Sequence, residues 1–275
     1  MYQNKPVIVV KYGGNAMTDE SLKAEVIRSI CEDLRPRYRV VIVHGGGPFI
    51  AEALERAGVA SEFVDGLRVT TPEALVHVET VLKGLVNSSL VSLANRFGAR
   101  GVGLSGKDGA MVMATRRILM RRVNGRTVET DLGRVGEVAN VDVRLLETLL
   151  SMDYLPVLAC LAAGEDGGAY NVNGDVFAGA VAGALGAQML VLLTDVDGLL
   201  RDKDRPSTLI RQVNLTQLKT LREEGIIQGG MIPKTEACVT ALKAGAQTVV
   251  MANGTRPSVL SHLGKPSFIG TLFEI

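Results

Sequence analysis

Val40-Val41-Ile42-Val43-His44-Gly45-Gly46-Gly47-Pro48 is the stretch on which the fold turns. Four β-branched residues in succession predict a strand buried on both faces, as in a parallel sheet, rather than the alternation of a half-exposed ladder. Three glycines and a proline break the strand, and a helical pattern follows over residues 50–57. The same grammar stands earlier in the chain. A strand at 7–11 ends in Lys11, a turn follows at Gly13-Gly14, and a helix is expected over 20–34. Outward from these, strands near 100–104, 154–158, 189–193 and 248–251 alternate with helical patterns over 72–97, 141–152, 175–185, 215–224 and 233–244. A hairpin-like piece at 63–69 interrupts, as does an antiparallel excursion at 116–138 that turns at Asn124-Gly125. The expected fold is α/β: an open, mostly parallel sheet with helices on both faces, a three-layer sandwich. The small, polar residues 163–168 are the credible lobe boundary, dividing 1–165 from 166–275.

Composition narrows the function. Hydrophobic residues make up 47% of the 275 and charged residues 21%, enough for a large core and too apolar for disorder. Lys plus Arg number 30 against 29 Asp plus Glu, which argues against nucleic acid or a membrane surface as partner. Cys31, Cys160 and Cys238 stand in no metal-ligand spacing, and the only histidines are His44, His77 and His262, so no metal site is expected. The apolar run 176–193 contains Gly179, Gly183, Gly186 and Gln188; it reads as helix, glycine stop and buried strand rather than a membrane span. No secretory signal pattern opens the chain, and a cytoplasmic protein acting on a small molecule is expected.

Candidate site residues cluster at strand ends. Lys11-Tyr12-Gly13-Gly14 and His44–Pro48 both offer backbone N–H groups that an anion can approach closely, the second at the opening of a helix. Two tight β–α turns would look the same. The run Gly101-Val102-Gly103-Leu104-Ser105-Gly106-Lys107-Asp108 fits G-x-G-x-x-G and nearly fits a phosphate-binding P-loop, but Asp108 stands where Ser or Thr should bind Mg²⁺, and no helix follows. A strand and its exit turn is the better reading. Asn171-Val172-Asn173-Gly174-Asp175 precedes a helix that its polar groups can cap. Asp195 and Asp197 end a strand, facing a nucleotide or merely terminating it. Lys234, after Gly229-Gly230, opposes the dipole of the helix it opens, which a bound polyphosphate would explain.

Taken in order, these motifs resemble the amino-acid kinase family. The matching stretches are residues 9–17, 44–48, 65–70, 103–109, 131–138, 170–175, 193–198 and 229–234, nearly end to end. The resemblance implies transfer of the γ-phosphoryl group of ATP to the side-chain carboxylate of N-acetyl-L-glutamate, in arginine biosynthesis, with Mg²⁺ arriving on ATP. It implies catalytic roles for Lys11 and Lys234, which would hold the moving phosphoryl group, and for Asp175, which would position them. It assigns Gly46, Gly47, Arg68 and Asn171 to the acceptor, Arg68 pairing with the carboxylate that does not react. Gly13, Gly14, Gly45 and Asp195 fall to the nucleotide, and the 103–109 run becomes a structural signature. By the same resemblance, 1–165 would carry the acceptor and the dimer contact and 166–275 the ATP. Phe49, Thr71, Ser88, Ser89 and Gly174 depart from the common pattern without touching a catalytic position. Relatives inhibited by arginine carry an extra N-terminal helix; here the first strand begins close to Met1, so a plain homodimer without arginine inhibition is expected. The rivals are a kinase for α-aminoadipate, free or carrier-bound, and a non-catalytic amino-acid sensor. The sensor should have lost Lys11, Asp175 or Lys234, and all three are present.

Overall fold

A computed structural model describes residues 5–123, 126–202, 204–229 and 231–275. Eight of its strands form one sheet. In spatial order they are β12 (Gln212–Asn214), β14 (Thr271–Glu274), β13 (Thr248–Asn253), β11 (Met189–Thr194), β1 (Val7–Tyr12), β2 (Arg39–His44), β8 (Tyr154–Ala159) and β5 (Arg100–Ser105). Neighbours run parallel except β13 and β14. The β-branched runs lie at the centre because both faces there are covered: Ile8, Val9, Val10, Val41, Ile42 and Val43 are all wholly buried. The helices are α1 (Glu20–Ser29), α2 (Gly47–Ala57), α3 (Pro72–Glu79), α4 (Ser88–Arg96), α5 (Arg144–Ser151), α6 (Gly174–Ala184), α7 (Leu215–Glu223), α8 (Met231–Lys243) and the short α9 (Ser258–Ser261). The α/β architecture expected from the apolar runs is the one observed.

The excursion at 116–138 belongs to a small closed barrel of β6 (Val112–Val123), β7 (Arg126–Val141), β9 (Leu161–Gly164) and β10 (Ala169–Val172). β6 and β7 pair antiparallel as the alternation predicts; the turn assigned to Asn124-Gly125 lies outside the described residues. The hairpin is β3 (Phe63–Val64) with β4 (Leu67–Arg68). Of residues 163–168, Ala163 and Gly164 end β9 and 165–168 join it to β10.

Several helix bounds differ from expectation. α2 begins at Gly47 because Pro48 occupies its first turn. The helix expected from 141 starts at Arg144, because β7 runs on to Val141. α1 continues as a π-helical turn, Ile30–Leu34, and α3 runs into α4 through another, Thr80–Asn87. A wider turn leaves no signature in a 3.6-residue spacing. The apolar 176–193 run resolves into α6, a left-handed Gly186 and β11. Among the described residues no helix is long and apolar enough to cross a membrane. Thr71, the departure before α3, caps that helix by accepting from Ala74 N at 3.1 Å.

Candidate active site

Lys11 is the next-to-last residue of β1, and its Nζ lies 2.8 Å from Oδ1 of Asp175 in the first turn of α6. The carboxylate is available because Asn173 does the capping, accepting from the N–H groups of Asp175 (3.0 Å) and Val176 (3.2 Å). Oδ1 has no well-directed hydrogen-bond partner among the described residues, so the contact with Lys11 is mainly coulombic. Burial alone would push the Asp175 carboxyl up. The charges of Lys11 and Lys234 outweigh burial and hold it below the usual carboxylate range. Two ammonium groups therefore act on one buried anion, an excess of positive charge in a site shielded from water.

One glycine sets the helices that bring Lys234 there. A Cβ on Gly183 would fall 2.4 Å from Ala244 Cβ, just past the end of α8, so α6 can come this close only where a side chain is absent. Lys234 is the fourth residue of α8, and Gly230 before it lies outside the described residues. Around Lys11, a Cβ on Gly13 would meet Nζ at 3.2 Å, and one on Gly174 would meet Cε at 3.5 Å. Burial pushes the nearby Cys160 thiol up to about 11 and that of Cys238 well above its ordinary value, which leaves both as neutral thiols.

Beside this cluster opens a cavity of about 340 Å³, walled by Gly45, Gly46 and Gly47 from the β2–α2 turn, Arg68 from β4, and Asn171 and Gly174. Arg68 is buried. It donates from Nη2 to Gly47 O at 3.1 Å and from Nη1 to Ser61 Oγ, and it lies over the Phe63 ring at 4.5 Å. Burial makes its proton easier to lose, yet a guanidinium stays charged, so the cavity holds a fixed cation. Thr70 ties the two polar walls together: its Oγ1 donates to Arg68 O at 3.0 Å and accepts from Asn171 Nδ2 at 3.2 Å. Thr70 is itself clasped by the barrel, its N–H donating to Leu132 O and its carbonyl accepting from Arg134 N. Gly133, at φ +74°, permits that approach, since a Cβ there would fall 2.4 Å from Thr70 O. Sequence reasoning passed over Thr70 as a site residue, because Asn171, Leu132 and Arg134, which hold it, are remote in the chain.

Across β1, a second cavity of about 540 Å³ follows the end of β11, with Val196, Leu199, Ile226 and Met231 as apolar wall and Asp202 and Gln228 among its polar groups. The two carboxylates of that turn part company. Asp197 accepts from Asn253 Nδ2 at 2.8 Å and pairs with Arg256 at 3.1 Å, a structural role, while Asp195 is exposed beside the cavity. Gly14, at φ +78°, starts a short 3₁₀ turn with open space about it. The 103–109 run is a strand and exit turn, as read. Asp108 Oδ2 accepts from Ser105 N (2.6 Å), Ser105 Oγ (3.0 Å) and Lys83 Nζ (2.9 Å), pinning the turn to the segment Thr80–Asn87. The structure thus brings Lys11, Gly13, Gly45, Gly174 and Asp175 together within reach of the charge of Lys234. Gly46, Gly47, Arg68 and Asn171 gather in the adjoining cavity, and Asp195 stands apart on the far side.

The chain resembles proteins of known name. A protein named acetylglutamate kinase from Methanocaldococcus jannaschii is 44% identical over 268 residues, covering 97% of this chain and 89% of that one. One of the same name from Pelotomaculum thermopropionicum is 43% identical over 269 residues, covering 97% and 91%. Among solved structures, N-acetylglutamate synthase from Neisseria gonorrhoeae, complexed with coenzyme A and N-acetyl-glutamate, superposes with a TM-score of 0.83 at 22% identity, over all of this chain and 61% of that one. An identity that low speaks to the fold alone. The model of the amino acid kinase family matches residues 6–253. That match spans well over half of the chain, and the chain belongs to the amino acid kinase family.

Proposed function

We propose that this chain transfers the γ-phosphoryl group of ATP to the side-chain carboxylate of N-acetyl-L-glutamate, giving N-acetyl-L-glutamyl 5-phosphate for arginine biosynthesis in the cytoplasm. The observation that carries the proposal is the Asp175 carboxylate drawn down by both Lys11 and Lys234 beside a cavity that holds Arg68. A carboxylate acceptor, with a pKa of about 4, is ionised at neutral pH and needs no general base. The obstacle is bringing it to an equally anionic phosphoryl group, and fixed cations with backbone donors answer that directly. The names of the relatives support the same substrate.

In this reading Lys11 and Lys234 hold the moving phosphoryl group, and Asp175 sets their positions. Gly46, Gly47, Arg68 and Asn171 bind the acceptor in the smaller cavity, of a size suited to an acylated amino acid. Gly13, Gly14 and Gly45 serve phosphate oxygens, and the larger cavity beyond β11, with Asp195 at its edge, receives the nucleotide. The lysines and glycine N–H groups suit a polyphosphate rather than a bare cation, so Mg²⁺ enters on ATP and no ligand to it is assigned in this chain. Residues 1–165 serve as acceptor lobe and 166–275 as nucleotide lobe. A homodimer through the first lobe belongs to the same proposal; Val76 and Leu85 are large apolar side chains exposed there. Light scattering that returned a hexamer would remove that part.

A coupled assay of ADP release across N-acetylglutamate, glutamate, aspartate and α-aminoadipate tests the reaction. N-acetylglutamate should give by far the highest kcat/KM; faster turnover of α-aminoadipate, or none with any of the four, would refute the assignment. Arg68→Lys should raise the acceptor KM about tenfold or more with the ATP KM nearly unchanged, because a bidentate fork becomes a point charge. Equal damage to both constants would count against its place. Thr70→Val keeps the shape and removes the hydroxyl between Arg68 and Asn171; the acceptor KM should rise about three- to tenfold, the worth of a neutral hydrogen bond or two. An unchanged acceptor KM would show that Thr70 does not tune the cavity.

A further inference from the structure

His44 closes β2 just before the glycine turn, and its side chain is wholly buried. Both ring nitrogens are engaged: Nδ1 lies 2.9 Å from Gly45 O, and Nε2 lies 2.9 Å from Asn87 Nδ2. The Asn87 amide also donates to Val157 O at 2.9 Å, with Leu104 O a longer acceptor at 3.4 Å. Carbonyl oxygens only accept, which fixes every proton in this chain of contacts. The two Asn87 hydrogens go to Val157 O and to His44 Nε2, so the ring carries its proton on Nδ1 and donates it to Gly45 O. Turning the amide over would set its oxygen against the Val157 carbonyl. A protonated ring would set Nε2–H against the Asn87 amide hydrogens. Burial, and beside it the charge of Lys83, push the imidazole down to about 4 against the pull of the Gly45 bond.

The surroundings are shaped for this strut. A Cβ on Gly103 would fall 2.1 Å from Asn87 Oδ1, so a glycine is what admits the amide. A Cβ on Gly46 would meet Leu82 at 2.7 Å and Val86 at 3.3 Å, so the turn is pressed from below. Leu82, Val86 and Asn87 all come from the π-helical segment Thr80–Asn87. The Gly45–Gly46 peptide is trans, hence the Gly45 C=O and the Gly46 N–H point in opposite directions.

We propose that His44 is a positioning residue: as a neutral imidazole it holds the Gly45 carbonyl in the interior and thereby turns the Gly46 N–H into the cavity, toward the reacting carboxylate or the phosphoryl group it receives. The proposal rests on the function proposed above, for which the Gly46 donor matters most as charge builds between the two reactants.

The test has two arms. Nitrogen-15 spectra of the wild-type protein, with three histidines and His44 assigned by its loss in a variant, should show His44 protonated on Nδ1 alone and unchanged between about pH 5.5 and 8. An Nε2–H ring, or titration near the ordinary value, would overturn the proposal. In kinetics, His44→Asn keeps an amide nitrogen where Nδ1 stood and should retain kcat to within about threefold. His44→Gln and His44→Leu should lose about 10- to 100-fold in kcat with both KM values within about twofold. Equal losses in the Asn and Leu variants at matched thermal stability would also overturn it. Wild-type protein inert toward N-acetylglutamate would defeat the proposed function, and the spectra would still decide the state of His44.

Discussion

Lys11→Ala should lower kcat about a thousandfold in the coupled assay, with the far-ultraviolet circular dichroism of the folded chain unchanged. The size of the effect follows from where the ammonium sits. Its Nζ is 2.8 Å from Asp175 in a site with little water, where a fixed charge counts for far more than it does in solution. Two anions must meet there, and no other group of β1 can replace the missing charge. Lys234→Ala should act comparably from the α8 side, because both cations act on the same carboxylate. Near-normal turnover in either purified variant would end the proposed roles.

Asp175→Asn should destabilise the fold at neutral pH by about 3 kcal/mol, the cost of leaving the buried Lys11 ammonium without its counter-charge, and should lower kcat as the two lysines separate. The pH dependence has a definite sign. Asp175 releases its proton more readily in the folded chain than in the unfolded one, so its ionisation favours folding above the ordinary carboxylate value of about 4. That contribution fades as pH falls through the lower folded value. Urea unfolding of wild type and variant should therefore show a wide gap at neutral pH that narrows in acid. A gap that stays constant with pH, or a variant more stable than wild type, would mean that the ion cluster does not hold the site as described.

The central strands were legible because burial on both faces leaves an unbroken β-branched run, as at Val40–Val43. The edge strand β12 and its neighbour β14 were not, since they are three or four residues long and partly polar. Within the site, residue types with one chemistry could be picked out: Lys11 and Lys234 as cations at strand and helix ends, Arg68 as a fork. The 171–175 stretch was harder, because its three polar residues take three directions. Asn173 caps α6, Asn171 meets Thr70, and Asp175 meets Lys11. Helix-capping logic applies to all three alike, and only the tertiary fold separates them. Thr70, His44 and Asn87 each depend on one partner from a remote segment, Asn171 for Thr70, Asn87 for His44 and Val157 for Asn87, and no local pattern announces such a partner.

The order β13-β11-β1-β2-β8 has a consequence for the path the phosphorus atom would take. If nucleotide lies over β11 and acceptor over β2, the strand between them is β1, whose Lys11 stands midway. Adjacent strands are about 4.8 Å apart. Donor and recipient are then spaced by roughly two such intervals, and the transferred atom travels sideways over the sheet rather than along any strand. The ladder of backbone bonds would serve as the ruler that sets the separation of the reactants.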